Sequence, residues 1–278
     1  MTHTVVDINA VIERLWPLVG AEDWDAPGLV VGDPDAQVSA IHLAVDAVAD
    51  TVDEAIELGA DLLLVHHPLL LRGVTSVAGT TFKGALIAKL IKADCALVAA
   101  HTNADVVERG TSAALASALN LTNVSSLDGE ATGLGRVGTL SQQETLGSLA
   151  ARLGEVLPPT AGGIRVSGNF DQTVSRVALC GGAGDSFLAH PAVTSADVYI
   201  TSDLRHHPAS EARETARAVG GPALIDVSHW ASEWLWLEAA AEELRGALDG
   251  VTVTVSDIRT DPWDFVVVQN NRVEKIWR

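Results

Sequence analysis

Cysteine is scarce in this chain: Cys95 and Cys180 are the two thiols in 278 residues. Two lone cysteines exclude a disulfide scaffold and a zinc-thiolate site, and they suit a reducing compartment. Basic residues are scarce too, with 18 lysines and arginines against 36 acidic side chains and a formal net charge of −18. Counterion release on a phosphate backbone needs clustered cations, so this balance argues against nucleic acid as a partner and favours solubility. Mean hydropathy is positive, which raises the question of a membrane protein. Yet no uncharged apolar run approaches the ~20 residues that a spanning helix needs. The N-terminus, MTHTVVDINAVIERLW, lacks the basic-then-apolar order of a signal peptide. Low-complexity tails and blocks of like charge are absent as well. These absences lead to the expectation of a soluble, cytoplasmic globular protein with no membrane partner. At ~100–200 residues per domain, one large or two modest domains fit, each with a core that needs no covalent staples.

What is present is mostly Ala, Val and Leu in short blocks, divided by Gly, Asp, Thr and Pro. Residues 40–45, 61–65, 96–100 and 174–179 are near-continuous apolar runs, the pattern of strands covered on both faces. Helical stretches are expected at 48–58, 82–92, 111–119, 145–156, 208–219 and 229–248. Strands alternating with helices imply an α/β fold with a largely parallel sheet. A turn-rich stretch at 127–138 suggests a seam, giving an N-terminal half at 1–130 and a C-terminal half at 131–278. One internal echo supports duplication. Ala60-Asp61, an apolar strand and His66-His67-Pro68 resemble Ala196-Asp197, a second strand and, after a short insert, His206-His207-Pro208.

Nine histidines are present, and three segments concentrate them at strand ends, where open α/β sheets place ligand crevices. His66-His67-Pro68 follows the strand at 61–65. Adjacent strand residues point to opposite faces, so both imidazoles can coordinate only if the chain turns, which Pro68 favours. The competing reading is one buried and one solvated histidine. His101-Thr102-Asn103-Ala104-Asp105 ends the strand at 96–100, and a turn of helix would set His101 and Asp105 on one face. Helix capping alone explains the Asn and Asp, though not the His. In Asp226-Val227-Ser228-His229-Trp230-Ala231-Ser232-Glu233, Asp226 or Ser228 can cap the helix, and His229 and Glu233 share a face. A solvated surface pair is the alternative. Together the three give four histidines and two carboxylates: His66, His67, His101, Asp105, His229 and Glu233. A single tetrahedral zinc needs three or four protein ligands, so six suit two metals with a bridging carboxylate. A mixed N/O set without thiolate points to Zn, Mn, Fe or Co.

These motifs resemble the NIF-three-like dinuclear-metal family, often catalogued as type-two GTP cyclohydrolase homologues. The resemblance includes Trp24-Asp25-Ala26-Pro27-Gly28, with Ala26 where the family has Asn. It also includes Asp46 at a strand end, Gly110 downstream of the His101–Asp105 segment, and Thr201-Ser202-Asp203, with Ser202 in place of Gly. It runs from Val5 to Asp261 and leaves the tail from Phe265 to Arg278 unmatched. It implies two intertwined, duplicated three-layer α/β/α domains with the metal site between them, two divalent ions per subunit, and a toroidal homohexamer. Longer relatives carry an inserted mid-chain domain that this chain is too short to hold.

The chemistry expected is metal-dependent hydrolysis of a small, nucleotide-like substrate, such as opening of the purine ring of GTP. A phosphoesterase, or a metal-binding or partner-binding protein without turnover, stands as the alternative. Asp203 or a ligand-free histidine is a candidate proton relay, and Arg72 and Arg205 are the nearby cations for a triphosphate. Bland readings suit the remaining signals. The loop Cys180–Ser186 is a tight turn before it is a phosphate cradle, since it lacks the P-loop lysine. His206 and His207 are not expected as ligands. Trp230, Trp234 and Trp236 are packing or subunit-contact residues, and both cysteines are core thiols.

Overall fold

The computed structural model describes residues 3–267, so most of the unmatched tail lies outside the described residues. The first half runs β1 (His3–Thr4), α1 (Val5–Leu15), β2 (Gly28–Val31), β3 (Gln37–Val38), β4 (Ala40–Ala44), α2 (Ala49–Glu57), β5 (Leu62–Val65), α3 (Phe82–Lys92), β6 (Ala96–Ala99), α4 (Thr102–Asp105), α5 (Thr111–Ala118) and β7 (Leu121–Ser125). The second runs β8 (Arg136–Thr145), α6 (Leu146–Val156), β9 (Arg165–Ser167), β10 (Thr173–Ala183), α7 (Pro191–Thr194), β11 (Val198–Ser202), α8 (His206–Val219), β12 (Ala223–Val227), α9 (His229–Ala247) and β13 (Thr252–Val255).

Two sheets carry the fold, in the orders β13-β4-β5-β6-β2 and β7-β8-β10-β11-β12-β9. Each has a parallel centre, β4-β5-β6 in one and β10-β11-β12 in the other, joined by helical crossovers. β5, β6, β11 and β12 are buried along their whole length, as continuous apolarity requires when helices cover both faces.

The halves repeat one topology. β2 precedes β4 and pairs antiparallel with β6, and β9 precedes β10 and pairs antiparallel with β12. The repeated Ala-Asp has a physical role as well. Asp61 Oδ2 accepts from the amides of Ser39 and Ala40 at 2.7 and 3.0 Å. Asp197 Oδ2 accepts from those of Ser175 and Arg176, both at 2.8 Å. In each half the aspartate ties the start of its own strand to the strand before it.

The sheets also exchange strands. β7 pairs with β8 in the six-stranded sheet, and β13, from the far end of the chain, pairs with β4 in the five-stranded one. α9 lies between the sheets, touching β4 and β13 on one side and β10 and β11 on the other. One apolar core therefore runs through both halves, from Leu43, Leu64 and Val98 to Leu179, Ile200 and Trp236.

Several elements go beyond the sequence expectation. α1 buries Val5, Ile8, Val11 and Ile12 and starts in a capping box between Thr4 and Asp7, a helix signal that the polar N-terminus conceals. β8 and β13 are partly polar and end exposed or half-buried, so no apolar block announces them.

Candidate metal centre

A cavity of about 710 Å³ opens where the C-terminal ends of β5, β6, β10 and β12 converge; His67, His101, Asp105, Gly182, His229 and Glu233 line it. The chain turns as β5 ends. The amides of both His66 and His67 donate to Val45 O, at 3.1 and 2.9 Å. That turn removes the alternation that would have sent the two rings apart. His66 is fully buried, and its Nδ1 lies 2.9 Å from Ala100 O. His67 Nδ1 lies 2.7 Å from Asp46 Oδ1. At the end of β6, His101 Nδ1 meets Asp25 Oδ1 at 2.8 Å, and Asp25 Oδ2 accepts from the amide and hydroxyl of Thr102. His229 opens α9 behind the cap Ser228, and its Nδ1 lies 2.8 Å from Asp203 Oδ2.

All four imidazoles are thus pinned through Nδ1 to an oxygen. The Nε2 atoms are left to face one another and the two carboxylates. His67 Nε2 and His229 Nε2 each lie 3.0 Å from a Glu233 oxygen, as the spacing of four on α9 leads one to expect. His66 Nε2 stands 3.6 Å from both Asp105 Oδ1 and Glu233 Oε1, and this buried nitrogen has no hydrogen-bond partner among the described residues. A separation of 3.6 Å is too long for a hydrogen bond, and a buried polar atom left unsatisfied needs an explanation. A cation between these atoms would satisfy it. The ligand atoms of His66, His67 and His101 lie within 4.8 Å of one another, as do those of His67, His229 and Glu233. Either group could hold a metal ion. Asp105 belongs to neither triad but lines the same cavity, its Oδ1 accepting from the Thr111 hydroxyl at 2.5 Å.

The electrostatics of the bare site also call for positive charge. Burial opposes protonation of His67, but Glu233 and Asp46 outweigh it and push its pKa up to about 10. At His229 burial again opposes, while Glu233 and Asp203 lift the imidazole to about 11. Burial alone would raise Glu233, yet the facing His229, His67 and His66 hold it well below the usual carboxylate range. Asp105 is raised, chiefly by burial, and His101 is lowered by burial and by His66. Protons on His67 and His229 thus balance charge that a divalent ion would balance when bound.

Two glycines shape the site by close approach. A Cβ on Gly110 would overlap the backbone oxygens of Ala104 and Asp105. Gly182, at φ +70°, abuts Glu233, and a Cβ there would overlap Glu233 Oε1. The amides of Gly181 and Gly182 donate to the hydroxyls of Ser112 and Ser232; these residues form the packed end of β10 where a tight turn was expected, and those N–H groups are not free for phosphate.

Other residues fall outside the cluster. Asn103 is buried and structural, bridging the His101 amide and Trp16 O. Ser228, not Asp226, caps α9; Asp226 pairs with Arg165 and accepts from the Leu204 amide. His206 and His207 are exposed at the start of α8. Trp236 is buried against Trp16 and His66, with ring centroids 5.2 and 5.4 Å away. Both cysteines are buried, and Cys180 also borders the cavity. Neither expected cation reaches the cavity wall: Arg205 is 75% exposed and paired with Asp185, and Arg72 is exposed. These arginines sit past the strand ends, where the chain has already turned toward solvent.

Motif reading left two of the three aspartates behind the rings, Asp25 and Asp46, without a role. Asp25 and Asp46 were visible only as part of a segment or strand end. Asp203, a candidate relay by sequence, orients His229 from a left-handed backbone conformation at φ +57°. A final strap adds support: the Thr260 hydroxyl donates to Asp46 Oδ2, and Ser228 donates to Asp261 at 2.5 Å.

An α/β scaffold that converges four pinned imidazoles and two carboxylates on one cluster belongs to the class of proteins able to hold a metal ion. The chain belongs to the Duf34/NIF3 (NGG1p interacting factor 3) family, whose model matches residues 3–262. It is 50% identical over 267 residues to a GTP cyclohydrolase 1 type 2 homolog of Streptomyces coelicolor, covering 92% of each chain. It is 35% identical to a protein of the same name from Mycobacterium leprae, covering 95% of this chain and 96% of the relative. That alignment spans 376 positions, so the relative carries an insertion that this chain lacks. A solved structure of a hypothetical protein from Staphylococcus aureus has a TM-score of 0.86 at 28% identity, covering 95% of this chain and 99% of that one. Among the described residues, no helix is long and apolar enough to cross a membrane.

Proposed function

We propose that this chain is a metal-dependent hydrolase with a dinuclear divalent centre, acting on a small nucleotide-like substrate. The observation that carries the reading is the pinning of four imidazoles through Nδ1, which leaves the Nε2 atoms of His66, His67 and His229 within 3.6 Å of Glu233. Such outer hydrogen bonds are the usual means of fixing the tautomer and orientation of a metal-ligating histidine. In this reading His66, His67, His101, Asp105, His229 and Glu233 hold the metals. Glu233, which reaches His66, His67 and His229, or Asp105 would be the carboxylate shared between the ions. When bound, the pair supplies Lewis acidity and lowers the pKa of water. The protein's own side chains hold everything else in place. Asp46 and Asp203 keep the protons of His67 and His229 on Nδ1, and Asp25 does the same for His101. Gly182 lets Glu233 approach.

The Streptomyces and Mycobacterium relatives are named as GTP cyclohydrolase homologues, so GTP ring opening is the first reaction to test. Metal content is measured on the purified protein, and GTP is then supplied with Zn, Mn, Fe or Co restored. Formate release from protein holding two metals supports ring opening. Free phosphate without formate redirects the assignment to a phosphoesterase. No turnover of any nucleotide, nucleoside or phosphoester by fully metallated protein leaves a metal-binding or partner-binding protein. With this function we propose a cytoplasmic toroidal homohexamer, tested by mass in solution, and two duplicated halves meeting near residue 130.

A further inference from the structure

We infer that the cavity is built for an uncharged purine base or nucleoside and not for a nucleoside triphosphate. The inference rests on the metal-centre reading and concerns the wall around that centre. Among the described residues, no lysine or arginine lines the cavity. The buried guanidinium of Arg136 is engaged by the carbonyls of Val107, Gly133 and Gly135. Six carboxylates surround the site. Asp105 and Glu233 face the imidazoles, Asp25, Asp46 and Asp203 stand behind them, and Glu22 lies in the wall. Two divalent ions and Arg136 together carry less positive charge than these carboxylates carry negative, so the loaded site stays anionic. Phosphate sites answer polyanions with Arg, Lys or free backbone N–H groups. Here the amides of Gly181 and Gly182 are already donated to Ser112 and Ser232.

What the wall does offer is apolar and aromatic surface. Pro68, Leu71, Leu134, Trp24 and Phe187 all line it. Trp24 is 60% exposed, and its indole stands nearly perpendicular to the ring of His101, with centroids 5.8 Å apart. A planar ligand laid against the indole is therefore brought alongside the imidazole cluster. Stacking of a base on an aromatic side chain is worth roughly 1–3 kcal/mol and needs no charge. The volume, about 710 Å³, falls in the ~300–1,000 Å³ range of small-molecule sites.

The test is calorimetric titration of zinc-loaded protein with guanosine, GMP and magnesium-complexed GTP at low and high salt. Guanosine is expected to bind at least about tenfold tighter than GMP at low salt, with GTP weaker still. Screening should narrow that gap as salt rises. The variant Trp24→Ala should lose about tenfold in guanosine affinity, as one stacked base predicts, with metal content unchanged. GMP or GTP binding as tightly as guanosine at low salt overturns the inference. So does an undiminished affinity in Trp24→Ala, or no guanosine binding by protein of full metal content. Failure of the metal-centre reading shows separately, as absent metal in the same sample.

Discussion

Five and six residues beyond the anchoring Asp61 stand His66 and His67; five and six beyond Asp197 stand Ser202 and Asp203. Six residues beyond Ala40 is Asp46, whereas six beyond Arg176 is Gly182. The backbone frame at these places is repeated, down to the aspartate that joins neighbouring strands. Its side chains have taken different work. In the first half the strand ends present His66, His67 and His101, and α4 presents Asp105. In the second half they present supports: Asp203 orients His229, Gly182 makes room for Glu233, and Ser202 meets Ser232 at 3.3 Å. That half's own imidazole and carboxylate have moved onto α9, the helix lying between the sheets. A duplicated scaffold thus yields an asymmetric site, its candidate ligands coming from strand ends and α4 in one half and from α9 in the other.

The largest effect should come from Glu233, where the two contributions meet. Glu233→Ala removes the group shared by His66, His67 and His229, and under the proposed dinuclear reading metal content by elemental analysis should fall from two per chain to one or fewer. His101→Ala should remove metal from the first triad alone; unchanged occupancy in both variants would reject the ligand assignment. Gly182→Ala should approach the loss seen with Glu233→Ala, because the new methyl overlaps the carboxylate at a backbone angle that L-residues disfavour. Gly181→Ala is its control, since a Cβ there meets nothing nearer than 3.5 Å.

pH comes next. In metal-free protein the pKa values of His67 and His229 are raised to about 10 and about 11. Their stabilisation of that state is fully present below the ordinary histidine value of 6.5 and is lost as pH rises through those values. Metal must displace the same protons, so affinity should rise with pH across this interval, and binding near neutrality should release protons into a weakly buffered solution. Uptake that is independent of pH would contradict this.

Smaller effects compare the supports themselves. Asp46→Asn should weaken metal binding by about 10–100-fold, the usual scale for an outer carboxylate. Asp203→Asn should cost less, because its side chain is 61% exposed against 25% for Asp46, so water can replace it. Thr260→Val should cost least, a few-fold, felt through Asp46 in competition assays with a chelator. The reverse order would mean that the strap governs the site.

The strand-ending histidines were legible because each carries its context with it: an apolar run before it and a turn or spacing of four after it. The duplication was legible in the repeated Ala-Asp, whereas the second His-His-Pro opens α8 and does not stand at the position equivalent to His66. The aspartates behind the rings were not legible as such. Asp25 lies 76 residues from His101 and Asp203 lies 26 from His229, and no local periodicity links them. The same limit hid β7 and β13, whose strand partners lie across the seam or at the opposite end of the chain.

By itself the sequence determined a composition with few cysteines and few cations, and an α/β chain with imidazoles at its strand ends. Those are properties of composition and short-range pattern, set by residue type and spacing. Tertiary structure decided which nitrogen of each imidazole faces inward, which glycine admits Glu233, and that the cavity wall lacks the arginines that sequence had placed nearby. These depend on groups far apart in the chain meeting at a few ångströms, which only the packing of two interlocked sheets around α9 brings about.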